Sequence, residues 1–146
     1  MSISKHHGSC LCGDVQFEAK LDISKGSQCN CTICTKLGAT GSIVKPAALT
    51  LLSPESGLAS FTRNPDLGRW FFCARCNIHC FSTGHLEVLG GDFVSVNLNC
   101  IDGFDVSKTE IFHWDGRHDN WSAGPRRSPW PVVAAQRNER PVAAKR

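Results

Sequence analysis

Seven of the nine cysteines lie in three close groups along this 146-residue chain. The groups are Cys10 and Cys12, then Cys29, Cys31 and Cys34, and then Cys73 and Cys76. Nine cysteines cannot all pair within one chain, and residues 1–8 are polar, unlike a secretory signal. We therefore expect reduced thiols in the cytoplasm, where thiolates bind metal ions and disulfides are rare. Soft sulfur ligands favour zinc, with iron at a four-sulfur site the less favoured alternative.

The first and third groups together supply four sulfurs. Cys10 and Cys12 would share a face if they lay on a strand, and a Cys-x-x-Cys turn aims both of its sulfurs at one ion. Four thiolates close a tetrahedral zinc site, which is typical of a structural role. We therefore predict that Cys10, Cys12, Cys73 and Cys76 hold a structural zinc. Such a zinc contributes about 10–16 kcal/mol in small peptides.

The middle group supplies only three sulfurs, from Cys29, Cys31 and Cys34. Three protein ligands and an open fourth position are typical of a catalytic zinc, and that position suits a substrate thiolate. Spacing alone leaves a second structural site open, completed by Cys80, Cys100 or a histidine. The prediction in total is two zinc ions per chain.

Charge is unevenly distributed along the chain. From Arg126 onward there are six basic residues and one acidic residue, whereas the rest carries a net charge of −2. We predict a domain at 1–125 and a flexible basic tail at 126–146, with a boundary near 121–125. An acidic body is not expected to bind nucleic acid, and no apolar run approaches the roughly 20 residues of a membrane span.

Short alternating apolar patterns with frequent glycine and proline predict an all-β fold. The predicted strands are residues 14–19, 42–44, 49–52, 69–73, 93–98 and 111–114. Helix is expected only as short turns at residues 30–37 and 105–109. On the first strand, Val15, Phe17 and Ala19 share one face, which we expect to be buried.

The ordered motifs resemble the glutathione-dependent formaldehyde-activating enzyme family, whose domain centromere protein V shares. The resemblance rests on GSCLCGDVQFE at 8–18, CNCTIC at 29–34, FCARC at 72–76, GHLEVLGGDFVSVN at 84–97 and DGRHDNW at 115–121. It implies the β-tent, an all-β architecture of short antiparallel sheets around two zinc sites, with the ligand sets given above. The sequence departs from the family at Asn77, where glycine is usual, and at the additional Cys80. Asparagine tolerates a left-handed conformation, so we expect the turn to survive, and we expect Cys80 to be a buried small residue.

The resemblance implies a carbon–sulfur lyase that joins a glutathione-like thiol to an aldehyde such as formaldehyde, as an S-(hydroxymethyl)glutathione synthase does. The alternative is a non-enzymatic zinc scaffold that binds a protein or nucleic-acid partner. The chain has no tyrosine, and the acid–base candidates are His79, His85, His113, Glu87 and Asp92, none of which the sequence singles out. Residues 70–72 are candidates for lining a pocket, and residues 38–42 for presenting backbone N–H groups to a carboxylate. The Asp115-Gly116 pair is read as a turn.

Overall fold

The computed structural model describes residues 2–133, which form ten strands and one short α-helix. The strands are β1 (Ser4–Ser9), β2 (Gln16–Leu21), β3 (Lys25–Cys29), β4 (Gly41–Val44), β5 (Leu49–Leu51), β6 (Leu58–Phe61), β7 (Gly68–Cys73), β8 (His79–Leu86), β9 (Gly91–Asn97) and β10 (Glu110–Trp114). The helix α1 spans Thr32–Leu37, and 3-10 turns connect several strands. The all-β prediction is confirmed. Within residues 2–133, no helix has the length and apolar character of a membrane span.

The strands form two sheets. A three-stranded sheet has the order β1-β2-β5, and a seven-stranded sheet has the order β10-β3-β4-β9-β8-β7-β6. One pairing corrects the expectation of purely antiparallel sheets, because β10 runs parallel to β3 with Trp114 beside Cys29. Parallel neighbours require a long connection, and here the chain travels through six other strands before it returns to β3. This return brings the end of β10 to the middle cysteine group.

The core lies between the two sheets. Val15, Phe17 and Ala19 are buried on one face of the β2 region, as the alternation predicted. Phe17 meets Phe81 of β8 edge to face, with ring centroids 6.1 Å apart. Each fully buried side chain of this size stabilises the fold by about 1.5–3 kcal/mol. Packing across these residues therefore fixes the three-stranded sheet against the seven-stranded one.

The two short helical turns form where the sequence predicted them. Helix α1 follows Cys31 and ends at Gly38, whose positive φ of 65° lets its N–H donate to the carbonyl of Cys34. A 3-10 turn covers Val106–Lys108, capped by the Asp105 carboxylate, which accepts from the N–H of Ser107. Both turns are too short to form a helical layer, so the β-sheets form the framework of the fold.

Residues 126–130 lie along the outer edge of β10. Arg126 and His113 exchange backbone hydrogen bonds, and the Trp130 indole N–H donates to the His113 carbonyl over 2.8 Å. The Arg127 guanidinium pairs with Glu110 at 2.6 Å. The segment thus covers a strand edge that would otherwise expose unpaired backbone groups. The domain boundary at 125 stays a prediction, and residues 134–146 of the predicted tail lie outside the described residues.

Asn77 provides a test of local backbone strain. Its φ is +66°, the left-handed region, and its N–H donates to the carbonyl of Cys73. We expect Asn77→Val to lower the free energy of unfolding by about 1–2 kcal/mol, because a β-branched residue is strained there. Asn77→Gly should be as stable as the natural protein. Thermal denaturation monitored by circular dichroism checks both variants, and equal melting temperatures for the two would contradict the assignment.

Candidate metal centres and cavity

Four sulfurs converge between two turns that are distant in sequence. Cys10 and Cys12 lie in the turn between β1 and β2, whereas Cys73 ends β7 and Cys76 lies in the turn that follows it. The sulfur of Cys12 is 3.7 Å from that of Cys10 and 3.6 Å from that of Cys73. Tetrahedral zinc with bonds of 2.3 Å places its sulfurs about 3.8 Å apart. The four-sulfur cluster, Cys10, Cys12, Cys73 and Cys76, could therefore hold a metal ion.

Backbone N–H groups point at these sulfurs. Val15 donates to the sulfur of Cys10 over 3.3 Å, and Arg75 and Cys76 both donate to that of Cys73 over 3.3 Å. Burial opposes the charge on Cys76, but N–H groups of Cys12 and Ile78 lower the pKa of its thiol to about 6. Donors of this kind stabilise thiolates, the form that binds metal. The fold thus prepares the four-sulfur cluster for a cation.

The second group, the three-sulfur cluster, is formed by Cys29, Cys31 and Cys34. Cys29 ends β3, Cys31 immediately precedes α1, and Cys34 lies within α1. The three sulfurs lie within 4.8 Å of one another, and among residues 2–133 no other Cys, His, Asp or Glu joins this group. The three-sulfur cluster could hold a metal ion and leaves room for a ligand that the described chain does not supply.

Cys80 and Cys100, the fourth ligands left open from spacing, lie elsewhere. Both are buried in the core. The thiol of Cys80 faces the carbonyl of Ile78 at 3.5 Å, and that of Cys100 faces the carbonyl of His79 at 3.4 Å. The expectation that Cys80 is a buried small residue is therefore confirmed.

The three-sulfur cluster favours a single negative charge, because the pKa of Cys31 is lowered while those of Cys29 and Cys34 are raised. Hydrogen bonds from the thiols of Cys29 and Cys34 lower the pKa of Cys31 to about 3. The same neighbouring sulfurs raise the pKa of Cys34, so that proton is retained in the absence of a cation. Metal binding at such a cluster releases the remaining protons.

A buried carboxylate holds the turn that carries these sulfurs. Asp115, only 5% exposed, accepts hydrogen bonds from the Asn30 amide at 2.9 Å and from the His118 ring at 2.7 Å. The side-chain carbonyl of Asn30 accepts from the Arg117 N–H at 2.9 Å. Burial opposes the charge of Asp115, but donors on Asn30, His118 and Asn120 keep the pKa of its carboxyl below the ordinary value. Asn30 lies between two ligand cysteines, so this network sets their orientation.

Gly116 allows the same turn to approach the cluster. A Cβ at this position would lie 2.5 Å from the sulfur of Cys29 and 2.5 Å from the Trp121 ring. Real Cβ atoms do not come so close, so any side chain here would displace the sulfur or the indole. The Asp115-Gly116 pair, read from the sequence as a turn, therefore also supports the three-sulfur cluster.

The three sulfurs open onto a cavity of about 390 Å³. Its floor is a face of the seven-stranded sheet, and its walls come from α1, the segment between β6 and β7, and the segment after β10. The lining residues include Ile43, Arg63, Trp70, Ser82, Phe93, Ser95, Trp114 and Trp121. The Trp114 indole N–H is buried without a partner among the described residues, and a bound molecule could satisfy such a donor.

Only some of the residues that the sequence suggested for the pocket lie in the cavity wall. Trp70 lines the cavity, whereas Phe71 stacks on Phe81 at 5.1 Å and Phe72 packs against His79 at 5.2 Å. Ala39 and Gly41, from the segment expected to present N–H groups, also line it.

The candidate histidines also separate. His79 and His85 line the cavity. His85 pairs with Asp92 at 2.7 Å, while burial lowers the pKa of His79, whose Nδ1 contacts the Phe71 carbonyl at 3.1 Å. His113 instead lies beside the Trp130 indole. Glu87 does not line the cavity.

Sequence reasoning did not identify Arg63, Asn30 or the supporting role of Asp115. The position of Asn30 between Cys29 and Cys31 could have identified it, since an amide there can orient the neighbouring cysteines. Nothing in the sequence identified Arg63, because its place at the cavity depends on how β6 and β7 pair.

The fold and the clusters define a β-protein with two cysteine groups that could each hold a metal ion. Residues 5–115 match the model of the family described as glutathione-dependent formaldehyde-activating enzyme, and the chain belongs to that family. A crystal structure of a Rhodobacter sphaeroides protein is similar, with a TM-score of 0.61 and 19% sequence identity. The match covers 88% of this chain and 100% of that one. At this identity the likeness supports the fold alone.

Asn30→Ala tests the support of the three-sulfur cluster. The change removes the amide that joins Asp115 to Arg117, and we expect metal affinity at this cluster to fall about 10–100-fold. Affinity at the four-sulfur cluster should not change. Metal release to a coloured chelator, followed with time, separates the two sites. Asn99→Ala, at an exposed position, is the matched control. If Asn30→Ala released metal at the same rate as the natural protein, the proposed support of the three-sulfur cluster by Asn30 would be wrong.

Proposed function

We propose that this protein is a zinc-dependent carbon–sulfur lyase that forms or cleaves an adduct between a thiol and an aldehyde. Glutathione and formaldehyde are the pair that the family description names. One observation carries the proposal: three sulfurs, without a fourth described protein ligand, open onto a cavity large enough for a small molecule. A closed four-sulfur site would have no such access. Nine cysteines without a disulfide suit a reducing compartment, and we place the protein in the cytoplasm.

The residues fit two zinc ions with different roles. Cys10, Cys12, Cys73 and Cys76 would hold a structural ion, and Cys29, Cys31 and Cys34 would hold the ion associated with catalysis. A zinc ion with three thiolate ligands supplies an open position that keeps a substrate thiol in its thiolate form at neutral pH. The proposal thus depends on ligand number, with four sulfurs at one site and three at the other.

In the forward direction, the thiolate sulfur forms a bond to the carbonyl carbon. The C=O π electrons move to oxygen, and that oxygen takes one proton to become a hydroxyl group. In reverse the hydroxyl loses its proton, the carbon–sulfur bond breaks, and its electrons return to sulfur. No oxidant or reductant is consumed.

The chain's own groups orient the reactants and restrict water. Trp114 and Trp121, whose ring centroids are 6.1 Å apart, wall the cavity beside the three-sulfur cluster. Among residues 2–133, His79 and His85 line the cavity, and only His85 pairs with a carboxylate. The lowered pKa of His79 favours the neutral ring at pH 7, which suits it to accept and return the proton that the thiol and the hydroxyl exchange.

Cys31→Ser tests the zinc chemistry. We expect bound zinc to fall from two ions to one per chain, and the exchange of ¹³C-formaldehyde with its glutathione adduct, measured by NMR, to fall to the uncatalysed rate. Cys100→Ser is the matched control, since its hydroxyl can still donate to the His79 carbonyl, and it should retain both zinc ions and activity. Full activity in Cys31→Ser would overturn the zinc mechanism.

Calorimetry tests the glutathione assignment separately. Zinc-loaded protein should release or absorb heat on titration with glutathione, and the response should disappear in Cys31→Ser. No binding at millimolar glutathione would exclude glutathione as the thiol and would leave the thiol-adduct chemistry to be tested with other thiols.

A further inference from the structure

The floor of the cavity is built from small residues arranged in register. Ile43 of β4 lies beside Ser95 of β9, Ser95 lies beside Ser82 of β8, and Ser82 lies beside Trp70 of β7. All four residues line the cavity. Two serines thus sit between a branched aliphatic side chain and an indole, and they leave a depression in the sheet face.

A second row deepens the same depression. Phe93 of β9 lies beside Gly84 of β8, and Gly84 lies beside Gly68 of β7. A Cβ on Gly84 would lie 2.4 Å from the tip of the Phe93 ring. The end of the Phe93 ring therefore occupies the space above Gly84 and forms an apolar wall, an arrangement that aromatic residues adopt across from strand glycines.

The size of the cavity exceeds what formaldehyde chemistry requires. Its 390 Å³ falls within the roughly 300–1,000 Å³ of pockets that hold drug-sized ligands. A formaldehyde adduct adds only one carbon to the sulfur. The greater part of the cavity must therefore serve the rest of the substrate.

The charges in the cavity are few. Arg63 lines it, with its guanidinium carbon 5.9 Å from the centre of the Trp70 ring. Within residues 2–133, Arg63 forms no ion pair with Asp or Glu. His85 already pairs with Asp92, and Asp119 accepts from the Trp121 indole at 2.8 Å. Arg63 is thus the permanent cation that this wall offers to a ligand.

Glutathione is a poor match to these surroundings. It carries two carboxylates and an ammonium group, and a second buried carboxylate without a cation would lose hydration without a compensating partner. Much of the wall is aromatic or aliphatic, from Ile43, Trp70 and Phe93, so only part of the lining, such as Ser82 and Ser95, can form hydrogen bonds with its amides. A ligand with one anionic group and an apolar body fits the same walls without that cost.

We propose that the adduct this pocket binds has an apolar body and one carboxylate, which pairs with Arg63 while the sulfur lies at Cys29, Cys31 and Cys34. The apolar body lies over Ser82 and Ser95, between Trp70 and Phe93. The placement of the sulfur rests on the proposed lyase function. The binding of the apolar body and the carboxylate rests on the residues of the cavity. The inference assigns Arg63, Ser82 and Ser95 as residues that determine specificity.

A thiol-free probe tests the cavity independently of the lyase reaction. Calorimetry with the full-length, zinc-loaded protein compares 4-phenylbutanoate with the uncharged 4-phenylbutan-1-ol. We expect 4-phenylbutanoate to bind at least about tenfold more tightly than the alcohol. This factor corresponds to the lower end of the free energy that a hydrogen bond to a charged group contributes. Arg63→Gln should abolish that difference and leave binding of the alcohol unchanged.

Ser82→Leu tests the depression in the floor. The larger side chain fills the space beside Trp70, and we expect it to weaken binding of both probes about tenfold or more. Ser56→Leu, the same change at an exposed position remote from the cavity, should have no effect. Circular dichroism and zinc content establish that each variant is folded. If neither Ser82→Leu nor Arg63→Gln alters binding of 4-phenylbutanoate, the proposal is wrong.

Turnover separates this inference from the proposed function. The formaldehyde adduct of 6-mercaptohexanoate should be cleaved with a kcat/KM about tenfold above that of the glutathione adduct, and Arg63→Gln should remove the advantage. A preference for glutathione would overturn the inference while the lyase function stood. The expected probe binding without cleavage of any adduct would overturn the lyase function while the assignment of the cavity stood.

Discussion

The convergence of Cys12 and Cys73, 61 residues apart with sulfurs at 3.6 Å, is the contact on which the rest of this structure depends. It joins the turn of the three-stranded sheet to the turn of the seven-stranded sheet. Closing a loop of this length costs conformational entropy, and the buried core that offsets it is small. The packing of Phe17 on Phe81 requires a fixed position of the three-stranded sheet relative to the seven-stranded sheet. A cation shared by the four sulfurs would fix that position at the end of the sheets, where apolar side chains are few.

The three-sulfur cluster obeys a different constraint. Its three cysteines lie within six consecutive residues, from the end of β3 to the first turn of α1, so a cation there would close no long loop and would contribute little to joining the sheets. Its orientation comes from Asp115, a buried carboxylate that must be matched by donors because unpaired burial of charge is costly. Asn30 is one of those donors. A cation at the four-sulfur cluster would therefore cross-link the two sheets, whereas the three-sulfur cluster faces the cavity.

The cysteine spacing and the alternation of β2 were sufficient to predict the grouping of the sulfurs and the buried face of Val15, Phe17 and Ala19, because both are local patterns. The short turn at Asn77 was also predictable, since few other residues tolerate its φ of +66°. The parallel pairing of β10 with β3 was not predictable, because it depends on a return across the whole sheet. The same return brings Asp115 to Asn30 and Gly116 to Cys29. The residues that support the three-sulfur cluster were thus not predictable, because they depend on topology, whereas its three cysteines were evident from their spacing.

The cavity remains open because of the residues that form its floor. In a chain with so small a core, apolar side chains on this sheet face would stabilise the fold by filling the space, yet Ser82 and Ser95 occupy its centre. At Gly84 the missing side chain is replaced by the Phe93 ring, and at Gly41 a Cβ would meet the Ser95 hydroxyl at 2.2 Å. These contacts brace the walls without filling the middle. A pocket of this kind is preorganised, so a ligand need not open it. Ser82 and Ser95 stabilise the fold less than apolar side chains would at the same positions. Their presence is explained by a binding site and not by core packing.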